Sequence, residues 1–401
     1  SHNNLMIKKI KKYLYLINSA KIEFNNPLHK EIVVFDNTSI DDLKNILSKR
    51  KYFTLGARFD GISKIYISLR ILYFFFKNYN HNILSSYLIA LIKVIKPKIV
   101  LTTIDNSWKF HEIAKSLRKE KINFLAIQNA ARYDLEENNL LFKKKLIKKN
   151  PNSNFFIPQF ICYGDYVENE YRKNKIKVGQ YYNFGSLRLS NYLKYIKEKK
   201  IKLRKNFYDV SFISGYSFDK DKIYNESGID YAWAKMCAYT IRFCIKNKLK
   251  FLFIAKARKE SKKKKELDFF KKYLSEDEFI YLKNNFLSTN RNKYTPYKAI
   301  HETNVLTGVV STMLQDKLAL DGKILVCNFT NYKTWDFPIK NFCFLRKPSL
   351  ENFQQRLGII LKLSNKKYLS YLKNKKLIYF NKQKSTIQLI NQHLDKLINI
   401  K

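Results

Sequence analysis

The residues best suited to chemistry lie in the stretch 309–326, Val-Val-Ser-Thr-Met-Leu-Gln-Asp-Lys-Leu-Ala-Leu-Asp-Gly-Lys-Ile-Leu-Val. A buried strand is expected to stop at Ser311-Thr312, a helix to follow, and Asp321-Gly322 to turn the chain into the next strand. Hydroxyls at a helix start sit beside free backbone N–H groups, and the helix dipole makes that end attractive to phosphate. Asp316, farther along the helix, could accept hydrogen bonds from a ribose diol. A plainer reading makes Ser311 an ordinary N-cap and Asp316 an acid favoured by the dipole, and the sequence leaves both open. Lys256 and Arg258 follow another expected strand end. Cations there would stabilise the charge that grows on a departing nucleotide. Surface basicity is the alternative, and it accounts better for Lys259 and for residues 262–265. Two acids could take the proton of an attacking hydroxyl. Asp60 stands in a glycine-bounded loop, Gly56-Ala-Arg-Phe-Asp-Gly61, ahead of a helix expected to begin near Ile62. Asp105 stands in Thr103-Ile-Asp-Asn-Ser107. Asp60 is the preferred base; helix capping by Asp60 and turn chemistry at Asp105 are the competing explanations.

Such residues need strands that end side by side. Residues 31–36, 52–55, 98–104, 123–127 and 160–163 read as short β-rich runs, with an amphipathic helical stretch over 108–121. A Lys-rich segment over 191–205 separates them from a second series at 209–213, 250–254, 279–282, 304–310 and 323–328. Strands alternating with helices imply parallel sheets covered on both faces. The expected fold class is therefore α/β, with two tandem doubly wound, Rossmann-like domains facing across a cleft. Expected boundaries are 1–195 for an acceptor-binding domain, 196–350 for a nucleotide-binding domain and 351–401 for helices that pack back across them. In such sheets ligands bind outside the C-terminal strand ends.

The 401 residues suit two domains, and 45% hydrophobic content with 15% aromatics excludes a disordered chain. The net charge of +44 invites an anionic partner. With 64 Lys against 13 Arg and abundant Asn, Ile, Tyr and Phe, however, much of it reads as AT-rich codon usage. No nucleic-acid-binding motif accompanies it, so no specific nucleic acid is expected. Five scattered cysteines without a Cys-x-x-Cys point to a reducing compartment. The apolar runs are too short to span a bilayer, Ser1-His2 looks like a cloning remnant, and no signal peptide is visible. A cytoplasmic protein is expected. Residues 6–17, Met-Ile-Lys-Lys-Ile-Lys-Lys-Tyr-Leu-Tyr-Leu-Ile, could form a basic, apolar helix lying on the anionic inner face of a membrane, or a helix packed on the first domain.

The stretch from Ser311-Thr312 to Gly322-Lys323 resembles the nucleotide-sugar half of GT-B glycosyltransferases. It is particularly similar to bacterial surface-carbohydrate biosynthesis proteins that use CMP-activated keto sugars such as Kdo or nonulosonic acids. Residues 251–260 resemble the strand and basic phosphate-contacting turn of that group, and residues 294–300 its segment before the Ser-Thr strand. Ile127-Gln-Asn-Ala-Ala-Arg132 resembles an Ile-Gln-x-Gly turn, with Ala130 in place of Gly. Residues 178–188, ending Gly-Ser-Leu-Arg, resemble a Val-x-Gly-Ser-x-Arg stretch. Phe59-Asp60-Gly61 partly resembles the acid-acid-Gly base motif of sialyltransferases, but the His-Pro motif of those enzymes is missing.

The resemblance implies a glycosyltransferase that moves a sugar from a CMP-linked donor to a glycan or lipid-linked glycan, with inversion, in capsule, lipopolysaccharide or related surface polysaccharide synthesis. Lys256, Arg258, Ser311, Thr312 and Asp316 would hold the nucleotide. Arg58, Gln128, Asn129 and Arg132 would bind sugar hydroxyls or a keto-sugar carboxylate, and Asp60 or Asp105 would be the base. No cofactor beyond the donor is implied, and with no convincing Asp-x-Asp pair no metal is expected. The alternatives are a UDP-sugar transferase or epimerase of the same fold, which the shortage of His disfavours for the epimerase, and a non-catalytic scaffold that binds glycan or nucleic acid.

Overall fold

β-Branched and aromatic runs flanked by polar turns build two six-stranded sheets, every pairing in them parallel. The computed structural model describes residues 20–37, 40–57, 62–79, 82–132, 156–216, 228–287, 292–373, 377–380 and 383–399. The described elements of the first half run β1 (Lys21–Glu23), β2 (Ile32–Val34), α1 (Ile40–Leu47), β3 (Tyr52–Thr54), β4 (Lys64–Tyr66), α2 (Leu69–Lys77), α3 (Ile83–Ile95), β5 (Ile99–Thr102), α4 (Trp108–Ser116), β6 (Asn123–Ile127), β7 (Phe156–Cys162), α5 (Asp165–Lys173), β8 (Lys177–Asn183) and α6 (Leu187–Glu198). The second half runs β9 (Tyr208–Ile213), α7 (Ile229–Lys246), β10 (Phe251–Ile254), α8 (Glu260–Lys271), α9 (Glu276–Asn284), β11 (Phe286–Leu287), α10 (Thr295–His301), β12 (Thr303–Gly308), α11 (Thr312–Ala319), β13 (Lys323–Asn328), β14 (Phe344–Arg346), α12 (Leu350–Lys362), α13 (Asn365–Tyr371) and α14 (Thr386–Asn399).

The first sheet has the order β3-β2-β5-β6-β7-β8 and the second β11-β10-β9-β12-β13-β14. Each order reverses direction at one place, between β2 and β5 and between β9 and β12. Period-2 alternation divides the first core: Ile99, Leu101, Leu125 and Ile127 face one side, and Val100, Phe124 and Ala126 the other. On the first of these faces the covering helix comes from the far end of the chain. Ile387, Ile390 and Leu394 of α14 pack there with Ile32, Val34 and Leu43. The α12 and α13 segments instead pack in the second core through Phe353, Leu357 and Tyr368. The return crossing is tight. Tyr379 N–H donates to Tyr163 O at 2.6 Å, and a Cβ at Gly185, whose φ is +94°, would lie 2.3 Å from Tyr379 O.

Two expectations differ from the structure, and one strand was not expected. Residues 279–282 form no strand; they lie inside α9, because Ser275 and Glu278 close a capping box that starts a helix before the apolar run. The strand expected there is the short β11 after it. Near Ile62 the chain forms β4, paired with β1, before any helix. Finally, β8, for which no strand was expected, gives little signal because it is an edge strand with no fully buried residue and a glycine, Gly179. Among the described residues no helix is long and apolar enough to cross a membrane.

Candidate active site

Because all strands in each sheet are parallel, their C-terminal ends share an edge, and the reversal points open a crevice there. The two edges meet. Thr312 Oγ1, at the start of α11 just past β12, accepts from Ala131 N–H, just past β6, at 2.9 Å. Aromatic and polar contacts hold the same junction farther back. Tyr192 stacks on Tyr297 with ring centroids 5.4 Å apart, and Lys293 Nζ donates to Asp41 O at 3.1 Å.

On the second domain the loops past β9, β10 and β12 converge. Ser311 is the N-cap of α11, its hydroxyl accepting from Met313 N–H at 3.2 Å. The turn at Lys256 is set by Glu266 of α8. Its fully buried carboxylate accepts from Lys256 N–H at 3.1 Å and Ala257 N–H at 2.8 Å. Burial raises the pKa of Glu266, while Ser214 and these two amides favour its charged form. Glu266 thus joins the loop after β9 to the loop after β10. Lys256 Nζ reaches Gly215 O at 3.4 Å, and the side chains of Lys256 and Arg258 are solvent-exposed. Gly215 must lack a side chain, since a Cβ would lie 2.4 Å from the Trp233 ring. Sequence reading missed Glu266. The available signal was its helical spacing from Phe270 and Lys263, which puts a carboxylate on the buried stripe of α8.

Asp316, read from the sequence as a ribose partner, faces the first domain instead. Its carboxylate is 0% exposed, with Ser186, Tyr297 and Arg188 as polar neighbours. Neither oxygen completes a hydrogen bond. Burial pushes its pKa up to about 7, while Ser186, Tyr297 and Arg188 pull the other way. The folded protein therefore keeps a proton that the unfolded chain has lost between its ordinary value of 3.8 and about 7. This contribution to stability is fully present below pH 3.8 and is lost as pH rises toward 7. Melting temperatures of Asp316→Asn should decline less than those of the wild type across that interval; parallel profiles would refute the assignment. Arg188 itself is held by Asp42, Nε to Oδ2 at 2.8 Å.

On the first domain Asp105 is fully buried beyond β5. It accepts from Arg132 Nη2 at 2.5 Å, from Tyr171 OH at 3.3 Å and from Asn129 N–H at 3.4 Å. Gln128 is also turned inward. Its Nε2 donates to Ala130 O and its Oε1 accepts from Tyr163 N–H, each at 2.8 Å. Arg132 also donates to the carbonyls of Ala130 and Ala131. The residues expected to grip a sugar therefore shape the loop past β6 that meets α11. Arg58 and Asp60 lie outside the described residues, between Ala57 and Ile62 in the sequence that follows β3. Lys109 Nζ donates to Ala57 O at 3.0 Å, at the last described residue before that segment.

The described histidines serve the fold. His111 Nδ1 meets Phe156 O at 3.0 Å, and burial drives its pKa down to about 4. His301 Nδ1 meets Tyr192 OH at 3.1 Å, and His393 Nε2 meets Gln159 Oε1 at 2.9 Å. No group of three His, Cys, Asp or Glu side chains among the described residues converges as a metal site.

No protein-family model matches the chain, and no curated protein matches its sequence. Similarity appears among solved structures. The UDP-GlcNAc 2-epimerase of Methanocaldococcus jannaschii in complex with UDP-GlcNAc and UDP is 11% identical, with a TM-score of 0.53 over 91% of this chain and 99% of that one. A candidate UDP-N-acetylglucosamine 2-epimerase from Listeria monocytogenes is 8% identical, with a TM-score of 0.53 over 92% and 97%. The wall teichoic acid polymerase TagF is 10% identical, with a TM-score of 0.50 over 92% and 90%. At these identities the likeness is one of fold. Two doubly wound parallel sheets meeting at their C-terminal edges, with neighbours of this kind, give the chain the GT-B fold.

Proposed function

We propose that the protein is a glycosyltransferase that takes its sugar from a pyrimidine nucleotide donor. The observation that carries this reading is the second domain's reversal point. There the loops past β9, β10 and β12 bring together the Ser311 cap, a backbone bare of side chain at Gly215 and two exposed cations, Lys256 and Arg258. Helix N-terminal amides and cations suit a phosphate whose charge grows as the sugar leaves. The sequence resemblance favours a CMP-linked keto acid sugar as the donor and a surface or lipid-linked glycan as the acceptor. UDP bound by the Methanocaldococcus jannaschii fold relative belongs to the same base class.

Of the two candidate bases, Asp105 has its carboxylate engaged by Arg132, Tyr171 and Asn129, so we assign the base to Asp60. Epimerisation of a UDP-sugar is the second reading, favoured by the fold of the two epimerase-named relatives. Against it, His111, His301 and His393 are all engaged in holding the fold. A thermal-shift panel of CMP, CDP, UDP, GDP and ADP tests the donor. A ligand at 100 times its dissociation constant adds about 2.7 kcal/mol, so one pyrimidine nucleotide should raise the melting temperature clearly above the purines. Equal or absent shifts across the panel refute the donor site. Conversion of a UDP-sugar to its epimer with no acceptor present would establish the second reading.

A further inference from the structure

We propose that the outward face of α2, together with the neighbouring loop at residues 24–28, docks the protein on an anionic lipid bilayer. This surface is distinct from residues 6–17 and from the donor site, and it does not depend on which nucleotide is bound.

The helix reads Leu-Arg-Ile-Leu-Tyr-Phe-Phe-Phe-Lys and is apolar on two sides. Ile71 is buried, and Phe74 and Phe75 pack against the first core. The opposite side carries Leu69, Leu72, Tyr73 and Phe76, at the i, i+3, i+4, i+7 spacing of a single helical stripe. That stripe faces solvent: Leu69 is 89%, Tyr73 58% and Phe76 70% exposed. Phe24 and Leu28 are exposed as well. Their loop is tied to the start of the helix by Ser68 Oγ donating to Asn26 Oδ1 at 2.7 Å. Scattered exposed apolar residues are ordinary, but a contiguous patch of this size marks an interaction surface.

Charge selects the occupant. Helix α2 contains Arg70 and Lys77 and no acid. The adjoining β1–β4 ribbon adds Lys21 and Lys64 around one acid, Glu23, at 2.9 and 3.6 Å. Lys77 Nζ lies 3.3 Å from Tyr73 OH and 5.5 Å from the Tyr73 ring centroid. A cation there can reach headgroups while the ring beside it enters the acyl boundary. A second copy of the chain fits poorly. A two-fold contact sets the same patch against itself, bringing the Arg70 and Lys77 charges of both copies together in a protein of net charge +44. Anionic headgroups offer the opposite sign over a wide flat surface.

The test is sedimentation of the full-length protein with vesicles of phosphatidylcholine alone or mixed with phosphatidylglycerol. Binding to the anionic vesicles is expected, with little to the neutral ones. The double variant Leu69→Ser with Phe76→Ser should lower partitioning by about tenfold or more, given the apolar area withdrawn from the membrane. Its circular dichroism and melting temperature should be unchanged, because both side chains already face water. Arg70→Ser with Lys77→Ser should weaken binding and make it less sensitive to salt. Undiminished binding of Leu69→Ser with Phe76→Ser overturns the proposal and assigns the contact to another surface, residues 6–17 first. Failure of the unaltered protein to bind anionic vesicles also overturns it. Concentration-dependent dimerisation abolished by the same pair of changes would in that case identify the occupant as a second copy.

Discussion

Asp60→Asn is expected to lower sugar transfer by about 10²–10⁴-fold, the usual share of a general base in rate, while nucleotide affinity stays as it was. An acceptor hydroxyl is a weak nucleophile until its proton is taken as the new bond forms. Ala57, the last described residue before Asp60, follows β3 at the edge where the first sheet's strands end. Asn37, Gly56, Ile62 and Tyr66 are among the residues lining a small cavity of about 130 Å³ beside that edge. Gly56 and Gly61 flank the acid in sequence, and glycine lets a backbone be approached closely. Asparagine preserves size and polarity but cannot accept the proton. The donor contacts proposed at Lys256, Arg258 and Ser311 belong to the other domain, so calorimetric titration with the nucleotide should give the same dissociation constant for both proteins. Near-normal turnover by the variant would remove Asp60 from the chemistry.

Asp105→Ala should act on stability rather than on the chemical step. Removing one member of a buried ion pair leaves the other charge uncompensated, at a cost of roughly 3–5 kcal/mol. Asp105 is fully buried, and the Arg132 side chain retains 14% exposure, so the lower half of that range is the reasonable expectation. Arg132→Ala should cost a similar amount. The double variant should cost less than the sum, because the two changes remove one shared interaction. Urea unfolding of the three variants measures this directly. The effect should also reach the domain junction, since Arg132 donates to the carbonyls of Ala130 and Ala131 and Ala131 N–H holds Thr312. A stably folded Asp105→Ala protein with lost turnover would instead place Asp105 at the reacting hydroxyl.

Both expectations concern acids that the sequence separates only weakly. Asp60 and Asp105 look alike as text: each is an acid after a β-rich run, in a loop of good turn formers. The structure shows Tyr171, Asn129 and Arg132, distant in sequence, closing around Asp105, while Asp60 lies outside the described residues. Ser311, Thr312 and Asp316 divide in the same way. Ser311 caps its helix, as local chemistry alone would have it. Thr312 and Asp316 point into the junction with the first domain, where they meet Ala131, Ser186 and Arg188. Three of the segments singled out by resemblance, ending at Arg132, at Arg188 and in α11, therefore come together. They position the two domains as much as they face a ligand.

The sequence by itself determined the architecture. Alternation of period 2 inside short β-branched runs, with helical stretches between them, leaves few options other than parallel sheets covered on both faces. The reversal points then follow from strand order, and Ser311, Lys256 and Arg258 fall at strand ends simply because strands end where polarity begins. Local signals failed where two of them competed. At residues 279–282 the capping box from Ser275 to Glu278 outweighed an apolar run, and β8 is an edge strand that buries too little to leave a pattern. Tertiary structure alone decided which polar groups are occupied. It turned Gln128 and Glu266 inward as braces, buried Asp316 against the other domain, and left one apolar stripe of α2 exposed to solvent. Period and propensity are properties of neighbours in sequence. Hydrogen-bond satisfaction and burial depend on which distant segments arrive alongside, and that is settled only when the two sheets pack.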